Sequence, residues 1–280
     1  MTEAVRKIDT GTDELLCEVR ARVAVITLNR PHARNSLSDN LSPALRTMIA
    51  KCGEDADVGA VMMTGTGAAF CSGGDVKGMG DNASRKEVSS EEKVALLRDR
   101  QRRLTGALVS LRKPTVAALP GPAAGAGLSI ALACDLRIAA ESAFVSTGYA
   151  KVGLSGDYGI CWLLTRIVGP ARARELMFTS EKVDARRCEA LGLVNRVVPD
   201  DQVRQAAFDL ARALAHGPVG AYALMKDNLD EALLTDFHTA LDGEAERMVR
   251  CAGSDDHREA IAAFIAKRAP AFSRAPDRNL

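Results

Sequence analysis

The sequence predicts an α/β fold, on three observations. Short apolar runs recur up to about residue 200, and amphipathic, helix-sized stretches lie between them. Gly, Pro or a charged residue bounds each run. From Asp200 onward only helical spacing remains.

The expected strands are Val23 to Leu28, Gly59 to Thr64, Thr115 to Leu119, Leu136 to Ala139 and Ala143 to Ser146. A helix from about Ser38 places Leu41, Leu45, Met48 and Ile49 on one side and stops at Gly53, a residue suited to the left-handed position after a helix end. Gly78 to Val88 is polar and aperiodic, which fits a loop in the position of a lid. Ser89-Ser90-Glu91-Glu92 has the form of a capping box opening a long helix through Leu96, Leu97, Leu104, Leu108 and Leu111. Its arginines 98, 100, 102 and 103 read either as a solvated face or as an attraction for a phosphate-bearing ligand. Helices are then expected over Val203 to Ala215, closed by Gly217-Pro218, and near 219–233, 235–251 and 256–268. This divides the chain into a core, 1–199, and a helical region, 200–280. Short amphipathic helices bury little by themselves, so the second region is expected to pack on the first or on a neighbouring subunit.

The 280 residues are 47% apolar, enough for a substantial core, and the 37 basic and 36 acidic side chains leave no excess of either sign. With only 4% aromatic residues, that balance argues against a nucleic-acid binder. The seven cysteines form no C-x-x-C pair and there are four histidines, so neither a disulfide framework nor a metal cluster is expected. A reducing cytoplasm fits this cysteine usage, and the first thirty residues lack the apolar core of a secretory signal. Pro114 to Cys134 is uncharged throughout, but Pro120-Gly121-Pro122 and its Ala/Gly content argue against a membrane span.

Two glycine-rich turns resemble nucleotide signatures and fail as such. Gly65-Thr66-Gly67 has Phe70 where a dinucleotide fingerprint needs Gly, and Gly121 to Ser129 has Leu128 in place of the phosphate-binding Lys. Both regions suit another use. Ala69-Phe70-Cys71-Ser72-Gly73-Gly74-Asp75 follows a strand, and Ala124-Gly125-Ala126-Gly127-Leu128 follows another and opens an apolar helix. Small residues let a ligand approach the main chain, so an amide from each loop could hold one developing oxyanion; tight packing of small residues is the plainer alternative.

Ile26-Thr27-Leu28-Asn29-Arg30-Pro31 with Ala33-Arg34-Asn35-Ser36-Leu37 resembles the opening of the enoyl-CoA hydratase/isomerase (crotonase) superfamily. In order along the chain, Ala69 to Lys77, Lys113 to Asp135, Val168 to Ala173, Glu175-Leu176, Leu191 to Val194 and Ala263 to Phe272 are similar to its later motifs. The resemblance implies a spiral of ββα turns with a C-terminal helical trimerisation region, a homotrimer or hexamer, and an acyl-CoA thioester as substrate, as in fatty acid metabolism. It implies no separate cofactor, coenzyme A being part of the substrate. It assigns the two oxyanion amides to Ser72 and Ala126, and gives Cys71, Gly73, Gly74, Asp75, Gly125 and Ser129 to the same substrate-binding loops. Ala33 and Arg34, with Phe264 and Lys267 from the C-terminal region, would meet the CoA end, and Lys77 is a further phosphate candidate.

In the hydratases of this family two glutamates add water across the double bond. Here the resemblance puts Ser129 at the first of those positions and Tyr149 at the second. Serine is a poor general base near neutrality, and tyrosine donates a hydrogen bond more readily than it accepts a proton. Asp157, in Gly153-Leu154-Ser155-Gly156-Asp157-Tyr158-Gly159, aligns with the catalytic Asp of some isomerases and dehalogenases of the superfamily, so Asp157 is expected to move the proton and Tyr149 to position the substrate or donate. A local Asx turn at Asp157 is the structural alternative. Double-bond isomerisation, hydration through Asp157 and a bound water, a non-catalytic acyl-CoA-binding subunit and an Asp-nucleophile hydrolase or dehalogenase all remain open at this level. Asp75, Asp135 and Glu141 read as structural, the histidines at 32, 216, 238 and 257 lie away from the two loops, and Cys71 reads as a small buried residue rather than a nucleophile.

Overall fold

The computed structural model describes residues 4–74 and 89–273. A three-strand antiparallel start, β1 (Arg6–Ile8), β2 (Leu15–Arg20) and β3 (Val23–Leu28), leads into the parallel strands β4 (Ala60–Gly65), β5 (Thr115–Leu119), β7 (Leu136–Ala140) and β10 (Arg196–Val198). Strands β4 and β5 are buried along their whole length, which is why their sequences are continuous apolar runs rather than alternations.

A smaller sheet joins β6 (Ala123–Ala124), β8 (Phe144–Ser146) and β9 (Val183–Asp184). The isolated bridges Cys71 to Ala123 and Leu37 to Gly74 extend it. Each turn of the chain thus lays one strand on the large sheet, a short extended segment on the small one, and then a helix: α1 (Leu41–Glu54), α4 (Ala126–Ala133) and α5 (Ile160–Thr179) follow such segments. Between them lie α2 (Ser90–Gln101), a π-helical turn Arg102–Gly106 and α3 (Ala107–Ser110), and after β9 comes α6 (Ala185–Ala190). Within α5 the backbone breaks at Gly169-Pro170.

The expected strands are present with ends shifted by a residue, but β1, β2, β6, β9 and β10 are additional. Helix α1 begins at Leu41 rather than Ser38 and passes through Gly53 to Glu54. A Cβ at Gly53 would stand 2.8 Å from Leu111 Cδ1, so close approach of the following helical layer, not a left-handed cap, explains that glycine. Ser89 and Glu92 form the reciprocal capping box. The helix they open runs without a gap to Ser110, through the π turn Arg102–Gly106; Leu104 and Leu108 are fully buried, and Leu96 and Leu97 are exposed. The segment expected as a lid, Gly78 to Val88, lies outside the described residues, as do Asp75 and Lys77.

Helix α7 (Val203–Ala215) buries Val203, Ala207, Ala211 and Ala215, one side of the helix, against β4, β5 and β7. The last helices, α8 (Val219–Ala232), α9 (Phe237–Ala252) and α10 (Asp255–Ile265), bury far less. Ion pairs tie α8 to the core: Arg112 to Asp227 at 2.5 Å and Asp230 at 3.1 Å, and Lys226 to Asp135 at 2.7 Å. No helix among the described residues is long and apolar enough to cross a membrane.

Candidate active site

The site is built where the end of β4 and the start of α4 meet. Asn35, fully buried, holds the first loop in place: its Oδ1 accepts from Arg30 N at 2.8 Å, and its Nδ2 donates to Thr66 O at 3.0 Å and Ala69 O at 2.9 Å. Phe70 N–H and Cys71 N–H donate to Pro122 O, and Ala124 N–H returns a bond to Cys71 O at 2.9 Å, so the two small-residue loops are stitched together. A Cβ on Gly73, whose φ is +93°, would stand 2.8 Å from Ala124 O and 3.4 Å from Ala126 N. Only glycine lets the loops close to this distance.

The amides of the two loops differ in which of them already have an acceptor. Ser72 N–H donates to Arg34 O at 3.0 Å, and Ser72 Oγ to Ala33 O at 3.3 Å. Ser72 N–H, expected as an oxyanion donor, thus has the Arg34 carbonyl as an acceptor. Neither Ala69 N–H nor Gly74 N–H has a backbone partner among the described residues. In the second loop Gly125 N–H donates to Ser146 O at 3.1 Å, whereas Ala126, in the first turn of α4, has no partner for its N–H among the described residues. The helix dipole adds partial positive charge there.

One turn further along α4, Ser129 is fully buried, and its Oγ lies 3.4 Å from Gly125 O and 3.3 Å from Asp157 O. Tyr149, in the 3₁₀ turn Tyr149–Val152, donates its hydroxyl to Asp157 Oδ1 at 2.5 Å. Ser129, Tyr149 and Asp157 thus form one hydrogen-bonded group, with Ser129 one turn along α4 from the Ala126 amide. Burial pushes the Asp157 carboxyl above the usual carboxylate range, and the Tyr149 bond offsets part of the rise. Burial and the adjacent Asp157 charge push the Tyr149 hydroxyl up as well, so it stays protonated and serves as a donor. A carboxylate of raised pKa, with backbone amides to hold the oxygen, can take and return a proton on a carbon next to a polarised carbonyl.

The other candidates divide by their partners. Ala33 and Arg34 form the turn that abuts Ser72, Arg34 with φ of +49°. Cys71 is fully buried and burial pushes its thiol up to about 12, so it is not an activated nucleophile. Asp135 is structural: its Oδ2 accepts from Thr115 N and Oγ1, and Oδ1 pairs with Lys226. Phe264, in the last turn of the final helix, and Lys267, two residues past its end, are both exposed. Asn35 is the loop anchor that was not singled out. Sequence could have found Asn35 only as an internal amide in a turn, since its three partners come from separate segments.

An enoyl-CoA hydratase/isomerase family model matches residues 18–275. The chain is 33% identical over 259 residues to the 1,2-epoxyphenylacetyl-CoA isomerase of Escherichia coli K12, covering 92% of this chain and 98% of that protein. It is 32% identical over 259 residues to the short-chain-enoyl-CoA hydratase of Clostridium acetobutylicum, covering 91% and 96%. The crystal structure of an enoyl-CoA hydratase from Polaromonas sp. JS666 superposes with a TM-score of 0.86 at 31% identity, covering 92% of this chain and 99% of that one. The large and small sheets with their intervening helices are thus the crotonase-like fold. Over nearly its whole length, in sequence and in fold alike, the chain belongs to the enoyl-CoA hydratase/isomerase family.

Proposed function

We propose that the protein is an acyl-CoA enzyme that shifts a carbon–carbon double bond through a thioester enolate, with Asp157 as the proton carrier. The observation that carries this reading is the part-buried Tyr149–Asp157 pair, whose Asp157 carbonyl meets the hydroxyl of Ser129, one turn along α4 from the Ala126 amide. The thioester oxygen accepts from Gly74 and Ala126 N–H. Asp157 removes a proton from C2 of a 3-enoyl thioester, and the electron pair of that C–H bond delocalises through the carbonyl and the double bond to give a dienolate. Protonated Asp157 then returns the proton at C4, the double bond settles between C2 and C3, and no atom is gained or lost. Tyr149 occupies Oδ1 of Asp157 and leaves Oδ2 for the substrate. Each oxyanion donor is worth about 10² to 10³ in rate.

The relatives carry both names, isomerase and hydratase. Ser129 and Tyr149, at the positions that the family likeness gives to the hydratase glutamates, favour the isomerase. The apolar side chains left on the last helices, Leu229, Leu234, Phe237, Val249, Phe264 and Ile265, support assembly as a homotrimer or hexamer.

The test is a side-by-side assay of a 3-enoyl-CoA and a 2-enoyl-CoA of equal chain length. The reading expects the 3-enoyl substrate to be converted faster than the 2-enoyl substrate is hydrated, and Asp157→Asn to remove the conversion. Hydration alone, unaffected by Asp157→Asn, contradicts it.

A further inference from the structure

The Tyr149 hydroxyl can meet Asp157 only while the turn that carries it is held in place, and a residue outside the chemistry described so far holds it. Ser180 directly follows α5 and is fully buried. Its backbone is left-handed, with φ of +46° and ψ of 35°. Glycine is the usual residue at such a helix end, because a Cβ in this conformation crowds the following carbonyl. What serine offers there against that strain, and glycine lacks, is a hydroxyl.

That hydroxyl is bonded on both sides of Tyr149. Thr147 Oγ1 donates to Leu176 O at 2.8 Å, so in its 3.1 Å contact with Ser180 Oγ the serine is the donor. Ser180 Oγ also lies 3.4 Å from Met177 O. It accepts from Ala150 N–H, the amide next after Tyr149, at 3.3 Å. The main chain of Ser180 reaches the second amide loop as well: Ser146 Oγ donates to Ser180 O at 3.0 Å, and Ser146 O accepts from Gly125 N–H at 3.1 Å. The last turn of α5 also packs on the loop that bears Asp157, since a Cβ built on Gly156 would stand 3.3 Å from Met177 Cε.

We infer that Ser180 is a positioning residue of the active site: by bonding to Thr147 and Ala150 it fixes the 148–150 turn, and with it the hydroxyl that Tyr149 presents to Asp157. The inference rests on the reading of Tyr149 and Asp157 as the working pair. Ser180 touches no substrate and acts through Tyr149, so part of the site's geometry is set at the C-terminal end of α5.

The test is steady-state kinetics of Ser180→Gly, Ser180→Ala, Tyr149→Phe and the double variant Ser180→Gly with Tyr149→Phe, on whichever of the 3-enoyl-CoA and 2-enoyl-CoA the wild type turns over, with melting temperatures measured beside them. Glycine relieves the left-handed backbone and alanine does not, so Ser180→Gly is expected to melt higher than Ser180→Ala. Both are expected to lose kcat alike, about three- to tenfold, the size of one neutral hydrogen bond, with little change in KM. In the double variant the two losses are expected not to multiply, because without the Tyr149 hydroxyl its placement no longer matters. A kcat that follows the melting temperature, near wild type in Ser180→Gly and low in Ser180→Ala, overturns the inference, and so do losses that multiply. Asp157→Asn in the same assay separates this inference from the reading beneath it. Wild-type activity in Asp157→Asn removes the proposed base, while losses that do not multiply still place Ser180 behind Tyr149. An inactive Asp157→Asn with multiplying losses keeps the base and removes Ser180. Turnover of neither thioester overturns both.

Discussion

The Tyr149 hydroxyl donates to Asp157 Oδ1 at 2.5 Å, and this bond engages one of the two carboxylate oxygens and opposes the effect of burial on the carboxyl. Burial raises the Asp157 pKa, while the bond from Tyr149 lowers it. Tyr149→Phe removes the lowering contribution and leaves the burial, so the acidic limb of the kcat/KM profile is expected to move to higher pH. With the carboxylate less well oriented, kcat should fall about tenfold with little change in KM. A limb that stays in place would show that Tyr149 does not act on Asp157.

Asp157 also has a stability signature with a definite sign. Its folded pKa lies above the unfolded value, so the folded protein holds this proton more tightly than the unfolded chain does. The ionised side chain therefore costs stability above the folded pKa, and the cost is absent below the unfolded pKa. Asp157→Asn is expected to melt higher than the wild type at pH 7 and to lose that advantage near the ordinary carboxylate pKa. Thermal melts at the two pH values check it, and an unchanged difference across them would contradict the assigned burial.

Asn35 anchors the first loop with three hydrogen bonds from a fully buried side chain. Asn35→Ala leaves one N–H and two carbonyls of separate segments without that partner. A loss of about 2–4 kcal/mol in unfolding free energy is expected from denaturant titration. Because Ser72 and Gly74 belong to the same loop, kcat should fall with stability, whereas a loss of stability with full activity would separate the anchor from the amides.

The Ala126 amide can be removed without removing a hydrogen bond of the fold. Ala126 is the first residue of α4, the helical position that tolerates proline best. Ala126→Pro is expected to lower kcat by about 10² to 10³ while the melting temperature stays close to that of the wild type. Full activity in a folded variant would show that this amide is not an oxyanion donor.

Much of this was legible in the chain itself, and the limits have physical causes. Strands β3 and β5 match their expected bounds because strands buried between neighbours on both sides are written as nearly continuous apolar runs. Strand β2 escaped notice because Leu16, exposed, and Leu15, buried, adjoin each other and blur its alternation. The strands β6 and β9 are two residues long, below any readable period. At the site, motif likeness brought Ser129, Tyr149 and Asp157 forward, and the structure places them in one group. It could not show which first-loop amides already have an acceptor, because Arg34 O accepts from Ser72 N–H and that pairing joins residues far apart in sequence.

The most direct measurement of the central claim is solvent deuterium exchange into a bound enoyl-CoA, followed by mass spectrometry, with the wild type and Asp157→Asn side by side. The account predicts deuterium in the acyl chain with the wild type and none with Asp157→Asn, although the variant still binds the thioester. Exchange by Asp157→Asn at the wild-type rate would contradict it.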